Sequence, residues 1–424
     1  MDQQVPASTD AGVSRDDSRD QSRVTQRYVK KREAILHAAA QLFNQHGVKG
    51  ATLSDVAAMV ELSTNSITYY YKKKEDLVVA CMLRSAEVIN DIIQLAAQEQ
   101  TAEQRVRQFI RLFFVRLAKI QGNEAPELMT FRDTQVLGSP HAEAVFAAYT
   151  DMFRRVRRLL TGDAVTSGNR LSLNARSHLL LTLTLGAMSW SSRYDPEDYE
   201  MVASRMSDIL IGGIASGAAQ WGNAGLDNAL AHAPGDGDST YDGFLRAATA
   251  LINEQGYRGA SVDRISARLN VTKGSFYHHI SNKEDLISEC FERTFSVMRR
   301  MQTLAQSGDG SGWDKVCAVS RELVRYQFSE HGPLLRMSAW SELPDDIRDS
   351  KFKTINRLGQ RFVGFLVDGM KDGSVRPIDQ TIAASLITGM INASVVLDRW
   401  VPDVTADNAA ELFVRPLFFG LLEA

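Results

Sequence analysis

Thr64, Asn65, Ser66, Thr68, Tyr69 and Tyr70 fall close together, and Lys72, Lys73 and Lys74 follow at once. Hydroxyls, an amide and phenols can hydrogen-bond to base edges and phosphate oxygens. Ammonium groups neutralise phosphates. Borne on one face of a short helix, this set suits contact with a nucleic acid. A second set stands further on: Thr272, Lys273, Gly274, Ser275, Tyr277, His278 and His279, with Lys283 behind it. Thr52, Ser54 and Ser63 add hydroxyls to the first set, and Ser261 to the second. No other chemistry stands out. There is no glycine-rich phosphate loop, nucleophile elbow or convincing pair of carboxylates, and the eight histidines show no metal-ligand spacing. An enzyme, a metal centre and a bound cofactor are therefore not expected.

The two sets belong to an internal repeat. Residues 35–77 align without a gap on 244–286, with 14 identities in 43 positions. Gly47, Gly50, Ala51, Ser66 and Lys74-Glu75-Asp76-Leu77 match Gly256, Gly259, Ala260, Ser275 and Lys283-Glu284-Asp285-Leu286. The period is that of a whole domain, too long for a solenoid unit. Each copy reads as a short helix, a tight turn and a second short helix. Thr52 is placed to cap a helix from about Leu53 to Val60, with Leu53, Val56, Ala57 and Val60 on one buried face. Ser63 caps the second helix, Thr64 to Tyr70. In the second copy Ser261 and Thr272 take the capping positions, and Ser281 with Glu284 forms a capping box for the longer helix that follows. Helix, turn and helix with an exposed polar face is the helix-turn-helix plan, whose second helix enters the major groove of DNA.

These residues resemble the tetracycline-repressor-like (TetR) transcriptional regulators. The second copy follows that family's pattern through Val271-Thr272-Lys273-Gly274-Ser275-Phe276-Tyr277-His278-His279 and Lys283-Glu284-Asp285-Leu286, and departs at Ile280, where the family has Phe. The first copy shares Leu42-Phe43, Gly47, Thr52, Val56-Ala57, Ser63 and Lys74-Glu75, has Tyr71 at the family's Phe position, and departs at Asn65 (family Gly) and Thr68 (family Tyr). The resemblance covers about 45 residues of each half. It implies an all-α chain of two tandem units, each a three-helix DNA-binding domain followed by a helical domain for ligand binding and dimerisation. It also implies a ligand-responsive repressor acting on operator DNA in the cytoplasm.

Taken in order, residues 1–25 read as a disordered tail, either a solvated leader or an arginine-bearing arm for phosphate or minor-groove contact. The first DNA-binding domain is expected over 26–77, the first regulatory domain over 78–223 and a linker over 224–240. The second DNA-binding domain follows over 241–286 and the second regulatory domain over 287–424. The first helix is expected over Thr25–Gln45. Helices are expected near Lys74–Gln98, Glu103–Gln121, Glu124–Thr134, Pro140–Leu160, Leu173–Arg193 and Pro196–Trp221. In the second half they are expected near Asn282–Gln306, Trp313–Glu330, Pro333–Leu343, Pro344–Asp372, Pro377–Trp400 and Ala406–Leu422. The net charge of −3 makes any DNA-binding surface a local one. Three cysteines fit a reducing compartment. Cys81 and Cys290, at equivalent repeat positions, read as small buried residues or as a redox switch on the helix that follows each DNA-binding unit. No apolar run is expected to span a membrane.

The resemblance places an apolar or amphipathic effector among the middle helices. Candidate linings are Phe109, Phe113, Met129, Phe146, Tyr149 and Phe153 in the first half, and Phe328, Met337, Trp340, Phe362 and Phe365 in the second. Aromatic and Met stripes at this spacing also suit plain core. The last two helices of each half carry Gly186, Ala187, Gly389 and Ala393, small residues that permit close approach. The two halves are expected to pack there as a pseudo-dimer within one chain, with a homodimer of chains as a further arrangement. Asn65, Thr68 and Asp263 keep a rival reading open: an interaction or ligand-sequestering protein with one or both readers degenerate.

Overall fold

The computed structural model describes residues 15–131, 137–162, 170–217, 219–222, 239–269, 272, 274, 280, 282–343 and 345–423. It is all-α. The described residues form helices and turns, with one isolated antiparallel bridge, Ala215 to Val375. The first unit contains α1 (Arg15–Gly50), α2 (Leu53–Met59), α3 (Thr64–Tyr70), α4 (Lys74–Ala96), α5 (Ala102–Gln121), α6 (His141–Thr161), α7 (Arg170–Gly186) and α8 (Tyr199–Gly212). The second contains α9 (Ser239–Gly259), α10 (Val262–Leu269), α11 (Lys283–Ser307), α12 (Gly312–Gln327), α13 (Asp345–Asp372), α14 (Gln380–Ala393), α15 (Leu397–Trp400) and α16 (Arg415–Phe419).

The first reading domain has its own core. Ile35, Leu36, Ala39 and Phe43 of α1 meet Val56 and Ala57 of α2, Ile67 of α3, and Leu77, Val78 and Cys81 of α4. Tyr71, at the position where phenylalanine is usual, joins them at 8% exposure. Gly47 breaks α1 with φ of 68°, and Gly256 breaks α9 in the same way with φ of 72°. The second reading domain is built alike on Phe244, Leu245, Ala248, Ile252, Ile265 and Leu286.

Several helices differ from the periodicity. Residues 124–131 and 333–336 are not helical. Both segments carry a proline, and both are held by side chains of α1 and α4 or of α9 and α11, described below. Met337–Glu342 is a 3-10 turn. The helix expected over Leu173–Arg193 ends at Gly186 and continues as two 3-10 turns. The last helix of the first half stops at Gly212. Gly213 takes φ of 69°, and a Cβ there would stand 2.4 Å from the Phe418 carbonyl oxygen. That close approach lets the chain turn and run across the second unit. The last helix of the second half is broken too, by a π-helical turn at Ala410–Val414 before α16. The stretch Gln380–Trp400, not singled out by its sequence, is long and apolar enough to span a membrane. It is bent at Ser394–Val396 and more than half buried, as a core helix is.

The two units share one interface. α7 lies against α14, so closely that a Cβ on Gly389 would stand 2.9 Å from Leu183 Cδ2. The Asn174 amide donates to the Trp400 carbonyl at 3.0 Å, and Arg176 donates to that of Leu421 at 3.2 Å. The crossing strand of the first unit is held by the second unit's end: Ile214 N and Ala215 N donate to Phe418 O, and Leu421 N to Leu210 O. Arg205 pairs with Asp379, and Arg376 with Asp208, each at 2.8 Å. The core of both regulatory domains is continuous across this seam. Large shared apolar burial of this kind distinguishes a permanent interface from a mobile domain contact.

Candidate nucleic-acid interface

The first reader is the better described. Thr52 caps α2 reciprocally: its Oγ1 accepts from Asp55 N at 3.2 Å, and Asp55 accepts from Thr52 N at 2.8 Å. The Thr52 hydroxyl and then its backbone N–H, each donating to Asp55 Oδ2 at 2.8 Å, hold the Asp55 carboxyl below its ordinary pKa. Ser63 Oγ accepts from Ser66 N at 3.2 Å and caps α3. Ser54 Oγ and Thr64 Oγ1 stand 3.3 Å apart across the turn. Thr52, Ser63 and Ser66 thus fix the two helices, while Ser54, Thr64 and Asn65 remain exposed. Thr68 Oγ1 bonds back to Asn65 O at 2.9 Å.

The tyrosines divide the work. Tyr70 stacks on Tyr28 of α1 with ring centroids 4.8 Å apart, which braces α3 against α1. Tyr69 is 77% exposed and touches only the edge of Tyr70 among the described aromatic rings. Lys72 and Lys73 are exposed, whereas Lys74 Nζ donates to Ala51 O at 3.2 Å and ties α4 to the α1–α2 junction.

In the second reader, Ser261 Oγ accepts from Arg264 N at 3.3 Å and caps α10. Thr272 and Gly274 are exposed, and Lys283 is half-buried. Lys273, Ser275, Tyr277, His278 and His279 lie outside the described residues, as does Ser281. The cap of α11 is Asn282, one residue later than expected. Its Oδ1 accepts from Asp285 N at 2.8 Å, so Asp285 takes the place foreseen for Glu284.

The expected effector linings scatter. Phe109, Phe113, Phe362 and Phe365 are fully packed core, and Met129 closes the core of the first reading domain. Phe328 packs at the core's edge, and Trp340 sits edge-on to Phe291 and Phe352. Met337 does line a cavity, with Thr294, Phe295, Leu335, Ile391 and Asn392. Its free room, about 30 Å³, would hold one or two waters. Phe146, Tyr149 and Phe153 point instead at the other unit and surround Trp400. Phe109, Phe113, Phe362 and Phe365 thus lie in the core, whereas Phe146 is exposed.

The periodicity missed the joint between reader and regulator. Asn44 donates to Leu128 O at 2.7 Å and accepts from Thr130 N at 3.0 Å. Ser85 Oγ accepts from Met129 N at 2.8 Å. Arg84 bonds Glu33 at 3.3 Å and also the Glu127 carbonyl. The second unit repeats every part with Asn253, Thr294, Arg293 and Asp242. The signal was available, since Asn44 and Asn253 are identical in the repeat.

Among the described residues the protein is all-α, with a helix-turn-helix in the first unit, the first helix of an equivalent motif in the second, and one shared helical body. The sequence signature of the bacterial regulatory proteins of the tetR family matches residues 35–81 and again 244–290. The signature thus occurs twice in the chain, once near the start of each unit. It is 30% identical to the transposon Tn10 TetC protein of Escherichia coli over 25% of this chain and 56% of that protein. It is 28% identical to the HTH-type transcriptional repressor NemR of Escherichia coli K12 over 27% of this chain and 60% of that protein. The chain thus spans little more than half the length of these relatives. Among solved structures, the TetR family regulator PfmR from Thermus thermophilus is 21% identical, covering 43% of this chain and 99% of that one, with a TM-score of 0.37.

Proposed function

We propose that this protein is a sequence-specific DNA-binding transcriptional regulator of the cytoplasm, without enzymatic activity, that represses by occupying an operator and is released by a small-molecule effector. The observation that carries the reading is the exposed face of α3. Thr64, Asn65 and Tyr69 stand in solvent on a helix whose caps and aromatic brace fix its direction. Residues 26–77 and 241–286 serve as the two DNA-binding domains. Ser54, Thr64, Asn65, Thr68 and Tyr69 contact DNA in the first, and Thr272, Lys273, Gly274, Ser275, Tyr277, His278 and His279 in the second. Relatives named as repressors support the sign of regulation.

Because the readers differ, one chain reads two unlike half-sites about one helical turn apart. Fluorescence anisotropy on a DNA fragment across a salt series tests DNA binding itself. Affinity falling steeply with salt fits phosphate contacts. Absence of binding at low salt would move the reading to a protein that sequesters its ligand.

A further inference from the structure

His37 of α1 is half-buried against the segment that joins the first reader to its regulatory domain. Its Nδ1 accepts from Glu127 N at 2.8 Å. A backbone N–H only donates, so this bond exists only while Nδ1 carries no proton. A proton on Nδ1 sets one N–H against another and leaves the Glu127 amide without its acceptor. Two turns further along α1, Asn44 grips the same segment at Leu128 O and Thr130 N. His37 and Asn44 thus hold the joint together.

The charged groups around His37 come from its own helix and three other elements. Arg84 of α4 pairs with Glu33, one turn before His37 on α1, at 3.3 Å, and it also holds the Glu127 carbonyl. Arg116 of α5 donates to Pro126 O at 3.0 Å. The Glu127 carboxylate accepts from Asn44 Nδ2 at 3.3 Å, and burial pushes its pKa up. Burial, and then the Arg84 charge, hold the His37 imidazole below its ordinary pKa. The second unit departs here from the first. Arg246 stands at the equivalent repeat position, and its guanidinium donates to Glu330 O at 2.8 Å. A guanidinium stays protonated over the accessible pH range and only donates. The two joints share the asparagine clamp and differ in this contact.

We propose that His37 makes the first joint sensitive to acid: a proton taken up at Nδ1 expels the Glu127 amide and loosens residues 124–131 from α1, while the second joint does not respond. The joint is complete above the ordinary imidazole value of ~6.5 and weakens as pH falls below it. His178, at the seam between the units, titrates lower, at about 4. This goes beyond the effector reading above, since the trigger is a proton and the target is the protein's own joint. On the DNA-binding reading, the first reader's half-site loses affinity in acid before the second reader's.

The test is hydrogen exchange of the full chain, read by mass spectrometry at about pH 7.5 and about pH 5, on either side of the ordinary imidazole value. Exchange times are scaled for the intrinsic effect of pH. The expected result is that a peptide spanning 124–131 loses protection about two- to tenfold at the lower pH relative to one spanning 333–336, the range one hydrogen bond allows. His37→Asn keeps an acceptor near the place of Nδ1 without a titrating group, and it removes this response. Glu127→Gln takes away the neighbouring carboxylate and keeps it. The same response in His37→Asn as in the parent protein, its loss in Glu127→Gln, or an equal response in both segments overturns the proposal. The experiment contains no DNA, so failure to bind DNA and failure of this switch are read separately.

Discussion

Asn44 and Asn253 occupy the same point of the two repeats and grip the same segment of their regulatory domains in the same way. Each donates to a carbonyl, Leu128 or Leu334, and accepts from the amide two residues on, Thr130 or Arg336. A primary amide can serve a peptide on both sides at once. A carboxylate could only accept, and an apolar residue could do neither. The reading domains are thus bolted to the regulatory domains by a matched pair of polar clamps set in apolar surroundings.

Asn253→Ala should destabilise the second unit by about 1–3 kcal/mol, because it leaves the Leu334 carbonyl and the Arg336 amide without their partner. Urea unfolding reads the loss. Hydrogen exchange should rise first at Leu334–Met337. Asn253→Asp should restore only the bond from Arg336 N and fall between the two.

His178 supplies a pH dependence. It is 1% exposed, lies between Trp400 and Phe413, and its Nε2 donates to Ala393 O at 3.1 Å. Burial, with Arg336 nearby, lowers its pKa to about 4. In the unfolded chain an imidazole titrates near ~6.5. Above that pH neither state is protonated and the folded state keeps its full stability. As pH falls from there toward 4, the unfolded chain takes up a proton that the folded one refuses, and stability declines. His178→Gln should unfold with a shallower pH dependence across that window. Parallel curves for the two proteins would contradict this account.

Gly213 sits where the first unit hands its chain to the second. Gly213→Ala places a methyl against the Phe418 carbonyl in a left-handed backbone conformation. The substitution should cost about 2–4 kcal/mol and loosen the seam. Limited proteolysis within 213–222 should become faster than in the parent protein.

The thiols should be inert. Cys81 and Cys290 each bond a carbonyl of the first helix of their unit, Leu36 or Leu245, at 3.6 Å. Burial pushes both up to about 12, and raises Cys317 well above its ordinary value. Thiolate is the reactive form. A thiol reagent at about pH 8, near the ordinary thiol pKa, should leave the native protein unmodified and label it only on denaturation. Rapid native labelling of Cys81 or Cys290 would restore the redox reading.

Much of this was legible in residue order. The repeat exposed two units, and the caps Thr52, Ser63 and Ser261 followed from type and position. Small residues at Gly389 and Ala393 marked the seam, where α14 meets Leu183 and His178. Long-range polar pairing was not legible. Residues 124–131 and 333–336 look helical by pattern. They are not helical, and Asn44, Ser85, Asn253 and Thr294, distant in sequence, satisfy their backbone groups. The surroundings of the aromatic stripe of α6 were not legible either. Periodicity shows that Phe146, Tyr149 and Phe153 share a face, and only the fold reveals that the face meets Trp400.

Two unlike readers held in fixed relation on one chain, as proposed, should select an asymmetric site. Selection of bound sequences from a random DNA pool at near-physiological salt reads this. The expected result is a site of about 15–20 base pairs, with two unlike half-sites one helical turn apart. Enrichment of a perfect palindrome of that same length would contradict it.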